Sequence, residues 1–264
     1  VSPDQHDEHD LGLRHDMSVL LGRRRLLGLL AGAGLAAVAG CAVGGGPGGP
    51  PGGGAVAAGS AGEIPQETAG PYPGDGSNGP NVLTESGIVR SDITSSFGSA
   101  TGTAAGVPLR IELTLTDTAG AALPGAALYL WHCDRDGRYS LYDVEDQNYL
   151  RGVQQADAAG KVVFTSIFPA CYAGRWPHVH FEAYPDLAAA TTSDNAITTS
   201  QLALPQDICE QVYATDGYQQ SVDNLSGVSL AADNVFSDGV DSQLATVSGS
   251  PSDGLVATLT IPVA

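Results

Sequence analysis

Within a strand-like run at residues 178–184, His178 and His180 are separated by a single valine. Side chains alternate along an extended chain, so both imidazoles leave from the same face, about 7 Å apart along the strand. Two imidazoles so placed can share one metal ion; taken alone, the pair better suits a solvated strand face that binds nothing. The neighbouring residues add chemistry. Residues 169–177 read Pro-Ala-Cys-Tyr-Ala-Gly-Arg-Trp-Pro and bring Tyr172 and Arg175, and residues 136–139 read Asp-Gly-Arg-Tyr and bring Tyr139. Phenols and imidazoles together make an oxygen-and-nitrogen donor set, and a guanidinium three residues before the first histidine is a permanent cation. Beyond residue 40 the only other histidine is His132.

The segments Trp131-His132-Cys133-Asp134-Arg135-Asp136-Gly137-Arg138-Tyr139-Ser140, Arg151-Gly152-Val153-Gln154 and residues 169–181 resemble the signature of intradiol ring-cleavage dioxygenases, the protocatechuate and catechol 1,2-dioxygenase family. Glu67-Thr68-Ala69-Gly70-Pro71-Tyr72 and Arg90-Ser91-Asp92-Ile93 extend the resemblance from about residue 64 to the C-terminus. The resemblance implies an iron atom held by Tyr139, Tyr172, His178 and His180, with Tyr172 as the phenolate that leaves and Arg175 as the catalytic arginine. It also implies a substrate-side glutamine, for which Gln201 is the candidate, and a pocket wall that includes Tyr72. The implied reaction cleaves a catechol-type ring between its two hydroxylated carbons, with both atoms of O2 entering a muconic acid-type product. No helical dimerisation segment like that of catechol dioxygenases precedes the core, so the chain is closer to the protocatechuate-type core and to exported relatives.

The donor types suit that cofactor. Phenolate is a hard anionic donor that favours trivalent over divalent iron, so the cofactor expected is Fe(III). Two phenolates and one hydroxide balance its charge, and an incoming catecholate dianion can replace the hydroxide and one phenolate with the balance kept. Zinc bound to the same residues, as in a hydrolase, is disfavoured because tyrosine is an unusual zinc ligand. Tyr142 and Tyr149 compete with Tyr139 for the ligand position, and only the Gly137-Arg138 context selects between them. Trp131 and Trp176 are read as packing or pocket-wall aromatics, and His132 as structural.

Such a site needs a rigid frame. Strand-like runs at 109–116, 126–133, 162–167, 178–184 and 255–262 alternate with Gly, Asp, Asn and Pro. In the first, Leu109, Ile111, Leu113 and Leu115 share one face, and Arg110, Glu112, Thr114 and Thr116 the other. Turn chemistry at Asp117-Thr118-Ala119-Gly120 and Pro124-Gly125 then leads to a second strand, as a hairpin or a sandwich corner. No long 3.6-residue apolar stripe is present after residue 64, and only 204–213 suggests a short helix. The fold class expected is all-β: an antiparallel β-sandwich with functional loops and little helix.

Ahead of this domain, residues 1–40 read as a leader. Arg23-Arg24-Arg25 precede an apolar run at 26–38, and the segment ends in Val38-Ala39-Gly40-Cys41. The run is shorter than the roughly 20 residues that a bilayer span needs. The pattern resembles a bacterial lipoprotein signal with Cys41 as the lipidated residue, and the adjacent arginines suggest the twin-arginine route. Met17, the sole methionine, suggests that residues 1–16 are an over-extended start. Residues 41–62, nearly all Gly, Ala and Pro, form a tether too poor in apolar surface to fold, and residues 63–264 form the one domain. The expected localisation is extracytoplasmic, with membrane contact only through the lipid.

In such an oxidising setting Cys133, Cys171 and Cys209 suggest one disulfide and one free thiol; Cys171–Cys209 would brace the loop beside Tyr172, and Cys133–Cys171 is the alternative. The 264-residue chain carries 11 Lys+Arg against 29 Asp+Glu, a net charge of −18, with Lys161 its only lysine. Duplex binding needs clustered cations, so nucleic acid is not an expected partner. The partners expected are a catechol-type molecule and O2, and a homo-oligomer is compatible with the reading. The rival function is a non-catalytic β-sandwich lipoprotein that binds a carbohydrate or a phenolic ligand.

Overall fold

The computed structural model describes residues 62–264; the leader, the paired arginines, Cys41 and nearly all of the tether lie outside the described residues. The chain divides into two units, Val1–Gly59 and Ser60–Ala264, and everything below concerns the second.

Alternating apolar residues build most of the frame. Strand β1 (Pro108–Asp117) carries Leu109, Ile111, Leu113 and Leu115, all buried on one face as the period-two pattern requires. It pairs antiparallel with β4 (Lys161–Ile167) and parallel with β8 (Gly254–Val263), and β7 (Thr246–Ser250) completes that sheet in the order β4-β1-β8-β7. The second sheet has the order β3-β2-β5-β6, built from β2 (Ala127–Trp131), β3 (Arg151–Gln155), β5 (His178–Tyr184) and β6 (Thr198–Ala203), all antiparallel. One core joins the two sheets: Leu109, Ile111, Leu113, Phe164 and Ala257 from the first meet Leu128, Leu130, Val179, Phe181 and Leu202 from the second.

The mostly-β, two-sheet architecture expected from the sequence is present, with three differences of detail. The β1–β8 pair is parallel, because β8 returns at the end of the chain to lie beside the first strand. Strands β1 and β2 belong to different sheets, so the Pro124-Gly125 turn is a sandwich corner and not a hairpin. The short helix expected at 204–213 spans Gln206–Tyr213 (α1), and a second, Gln219–Ser226 (α2), follows it. Among the described residues no helix is long and apolar enough to cross a membrane.

The second sheet is buried on both faces. Every residue of β2 and β5 is buried, although only alternate ones face the inter-sheet core. The other face presents Tyr129, Trp131, His178, His180, Glu182 and Tyr184, and Tyr72, Val82, Leu83, Ile88, Tyr139 and Ala170 from segments outside the sheet pack over it. Burial of polar side chains under a roof of loops is the setting in which a sheet carries a site.

Candidate metal centre

The register of the second sheet lays out the first part of the site. Trp131 of β2 is paired with Arg151 of β3 on one side and His180 of β5 on the other, and His180 is paired with Gln201 of β6. Paired residues share a face, so Arg151, Trp131, His180 and Gln201 form one row across the sheet. The Trp131 ring stacks on the His180 imidazole, with centroids 4.9 Å apart and an interplanar angle of 6°, which fixes the ring's orientation. Two residues back, His178 Nδ1 donates to the Trp176 carbonyl at 2.5 Å, so its Nε2 carries a lone pair.

Loops add the two phenols. The turn after β2 closes on Asp134, whose Oδ1 accepts the N–H groups of Asp136 and Arg138 at 2.9 and 3.0 Å. Gly137 has φ +83°, and a Cβ there would lie 3.2 Å from the Tyr172 Cβ; the close approach of the two tyrosine-bearing loops therefore needs a glycine. Tyr139 follows with its N–H donated to Asp143 Oδ2 at 2.7 Å. Its side chain is buried, whereas that of Tyr172 is half-buried.

Four donor atoms converge. Tyr139 Oη lies 3.4 Å from Tyr172 Oη and 3.3 Å from His180 Nε2; Tyr172 Oη lies 3.2 Å from His178 Nε2; and the two Nε2 atoms are 3.0 Å apart. A cation with bonds of about 2.0–2.1 Å at angles between square and tetrahedral would separate its donors by roughly 2.9–3.4 Å, the spacing found here. Hydrogen bonds alone do not satisfy the group. His178 Nε2 has no proton to offer His180 Nε2, and His180 Nδ1 is buried without a partner whichever tautomer the ring adopts. Burial pushes both phenols well above the usual tyrosine range, with Tyr172 raising Tyr139 further. Burial, with Arg175 second, pushes His178 down to about 3, and burial with His178 beside it holds His180 well below the usual range. Neutral imidazoles are the ligating form, and a highly charged cation is what would turn such phenols into phenolates. The donor set therefore fits Fe(III).

Arg175 is 5% exposed and belongs to the same centre. Its Nη2 donates to Gln201 Oε1 at 2.6 Å, and its Nε to Asp233 Oδ2 at 3.0 Å. Gln201 in turn donates to the Thr68 carbonyl at 2.9 Å, tying the pair to the roof strip. Tyr72, in that strip, sets its ring 5.0 Å from the Tyr139 ring. The structure thus brings together Tyr139, Tyr172, His178, His180, Arg175 and Gln201, with Tyr72 along the Tyr139 side.

Other expectations fare differently. His132 is buried and bridged between the Cys133 carbonyl and Ser166 Oγ, both at 2.7 Å, a structural position pointing away from the donors. The expected Cys171–Cys209 disulfide is not formed, nor is Cys133–Cys171: all three cysteines are free and buried. Each thiol turns to a different backbone oxygen, Cys133 to Ala170 across the neighbouring loop, and Cys171 to Arg175 and Cys209 to Leu204 within their own segments, so none is turned to another sulfur.

Three residues of the site had gone unassigned. Arg151 is fully buried, and its donors go to the carbonyls of Tyr72, Pro73 and Ser140 and to the Ser140 and Tyr129 hydroxyls, clamping the Tyr72 strip to the Tyr139 loop. Its motif was visible in the sequence, but its role was not. Asp233 carried no sequence signal, since it lies 58 residues beyond its partner. Glu67 faces the same cluster, and burial, together with Asp238 and Asp233 and against Gln243 and Arg175, pushes its carboxyl up to about 7. A carboxyl at 4.5 in the unfolded chain and about 7 in the folded one holds its proton longer when folded. Its contribution is therefore complete below pH 4.5 and lost as pH rises through 7. Glu67→Gln should flatten that part of the stability profile, a change readable by urea unfolding at pH 5 and pH 8; an unaltered slope would contradict the assignment.

Known proteins of the same shape confirm the class of fold. An intradiol ring-cleavage dioxygenase from Tetranychus urticae superposes with a TM-score of 0.55 at 23% identity, over 68% of this chain and 88% of that one, which establishes a shared fold. In sequence, the Dioxygenase_C family model, described as dioxygenase, matches residues 78–194, the stretch that contains all four donor residues and Arg175. A hydroxyquinol 1,2-dioxygenase from Corynebacterium glutamicum is 35% identical over 75 residues, 28% of this chain and 25% of that protein. A catechol 1,2-dioxygenase from a Pseudomonas species is 40% identical over 57 residues, 21% of this chain and 19% of the relative. The matched segment thus spans a quarter or less of the length of these relatives. Together the matches show that residues 78–194, which carry the four donor residues and Arg175, are similar to dioxygenases.

Proposed function

We propose that the chain is a non-haem ferric dioxygenase that cleaves a catechol-type ring between its two hydroxylated carbons, using O2 and giving a muconic acid-type product. The observation that carries this reading is the closed set of two phenol oxygens and two imidazole nitrogens, with neighbouring donors 3.0–3.4 Å apart. Bound ferric iron would accept a catecholate and draw electron density from its ring, readying it for O2.

The chain's own residues supply the rest. Tyr172 is the more exposed of the two phenols and sits on a loop, so it is the donor suited to yield its place to substrate and take a substrate proton on Oη. Tyr139, buried in a closed turn, and His180, stacked under Trp131, are the fixed donors. Arg175 places a permanent cation where charge develops on the ring. Tyr72 and Gln201 border the same space.

Export completes the proposal. The basic, apolar and small-residue order of the leader supports passage out of the cytoplasm and lipid attachment at Cys41, so that substrates are met outside the membrane.

Oxygen uptake across catechol, protocatechuate and hydroxyquinol, with product absorbance followed in parallel, tests the activity. One equivalent of O2 consumed per ring opened is the expected result. No uptake by iron-loaded protein with any of the three would contradict it.

A further inference from the structure

The guanidinium of Arg175 is held from beyond the matched segment 78–194. Asp233 follows a single 3-10 turn, Leu230–Ala232, in the C-terminal region, and it is 3% exposed. Its two oxygens accept five contacts. Oδ2 takes Arg175 Nε at 3.0 Å and the Trp176 N–H at 2.7 Å. Oδ1 takes the N–H groups of Val235 and Phe236 at 2.9 and 3.2 Å, and Arg175 Nη2 at 3.5 Å. The carboxylate therefore grips one edge of the planar guanidinium while anchored to backbone on both sides of the contact. Gln201 Oε1 takes the second Nη2 hydrogen at 2.6 Å. Nε and Nη2 are thereby committed to Asp233 and Gln201, which leaves the Nη1 edge outside this grip.

Gln201 is itself pinned by the same C-terminal stretch. Gln243 Nε2 donates to the Gln201 carbonyl at 3.1 Å, and the backbone of Gln243 and Ala245 pairs with Ala203 at 2.8 and 2.9 Å. Residues 233–245 thus hold both partners in the Arg175–Gln201 contact, one by a charge and the other by backbone. Glu67 is near enough to feel this cation, and Asp233 is the acid whose hydrogen bonds and ion pair to it are seen.

We propose that Asp233 is a positioning residue for the reaction: by binding the Nε–Nη2 edge of Arg175 it turns the Nη1 edge toward the substrate. A long side chain with five donors has many ways to satisfy itself, and a bidentate carboxylate reduces them to one. Buried ion pairs of this kind add little net stability but select a geometry. The inference rests on the dioxygenase reading above.

Asp233→Asn is the informative variant. An asparagine keeps one acceptor oxygen, enough for the Val235 and Phe236 N–H groups, and loses the charge, the bidentate grip and the Trp176 contact in a side chain of the same shape. Asp233→Glu keeps the charge and is the conservative control. Expected for Asp233→Asn are wild-type iron content and visible absorption, a fall in kcat on the order of 10- to 100-fold, and a smaller change in KM; Asp233→Glu should recover part of kcat. A structural role alone would lower the melting temperature and leave kcat per iron unchanged, and that result overturns the proposal.

A second readout needs no iron. In the apoprotein the buried Arg175 Nε–H should give a slowly exchanging NMR cross-peak, identified by its absence in Arg175→Gln and moved to fast exchange in Asp233→Asn. Protection unchanged in Asp233→Asn would overturn the grip itself. A wild-type chain that takes up neither iron nor oxygen overturns the dioxygenase reading and this inference with it; the cross-peak, still reporting the pair, tells that failure from the others.

Discussion

Tyr139→Phe is expected to lose iron and activity together while the protein stays folded. The substitution removes one oxygen and leaves the buried ring in place among Tyr72, Tyr172 and His180, so packing changes little. The centre loses an anionic donor in a water-poor space, where the charge of a trivalent ion has few other partners. Outer contacts to a metal ligand are commonly worth 10- to 100-fold in affinity, and loss of a direct ligand should weaken Fe(III) binding by at least about 100-fold. Iron content per chain after gel filtration, with far-ultraviolet circular dichroism as the folding control, checks this. A Tyr139→Phe protein with full iron and full turnover would remove Tyr139 from the centre.

Arg175→Gln should have the opposite profile, with iron and visible colour retained and most of the turnover lost. Arg175 touches none of the four donor atoms in a hydrogen bond, so the metal site has no reason to collapse. Asp233 would keep three backbone N–H donors from Trp176, Val235 and Phe236, which limits the cost of leaving its carboxylate without the cation. The reaction loses the permanent charge beside the ring. Removing one donor from a preorganised electrostatic site costs about 100- to 1,000-fold in kcat, and a loss of that order is expected here. Arg175→Lys, a point charge without the planar fork, should fall between the two. Steady-state oxygen uptake per iron is the measurement, and a kcat within a factor of two of wild type would refute the role.

The two outcomes separate holding the metal from using it, and they follow from features that differed in how far the sequence showed them. His178 and His180 were legible because period-two alternation is a local property and β5 is a regular strand. Tyr139 and Tyr172 were legible only through their motifs, since a loop has no period from which to read where a phenol points. Gln201 was an uncertain assignment because the length of the β5–β6 connection hides the register, and its place is set by pairing with His180 across the sheet. Asp233 and Arg151 were assigned no role for a similar reason. Asp233 meets Arg175 across 58 residues and Arg151 meets Pro73 across 78, and no local pattern carries contacts of that range.

The frame shows the same division. Strands β1, β4, β5 and β8 stand out as alternating or continuous apolar runs, whereas β3, β6 and β7 are Arg-Gly-Val-Gln-Gln, Thr-Thr-Ser-Gln-Leu-Ala and Thr-Val-Ser-Gly-Ser. Polar strands of this kind are held by their neighbours, not by their own propensity. The cysteine expectation failed because it rested on a count and a compartment. Pairing depends on where each thiol points, and here each points to a different backbone carbonyl.

The most direct measurement is the visible absorption spectrum of the apoprotein titrated anaerobically with ferric iron. One equivalent is expected to bind per chain, with a broad phenolate-to-iron charge-transfer band, giving a wine-red solution, that disappears when Tyr139 and Tyr172 are both replaced by phenylalanine. A colourless titration, or a band that survives the loss of both phenols, would show that these four side chains do not form the metal centre.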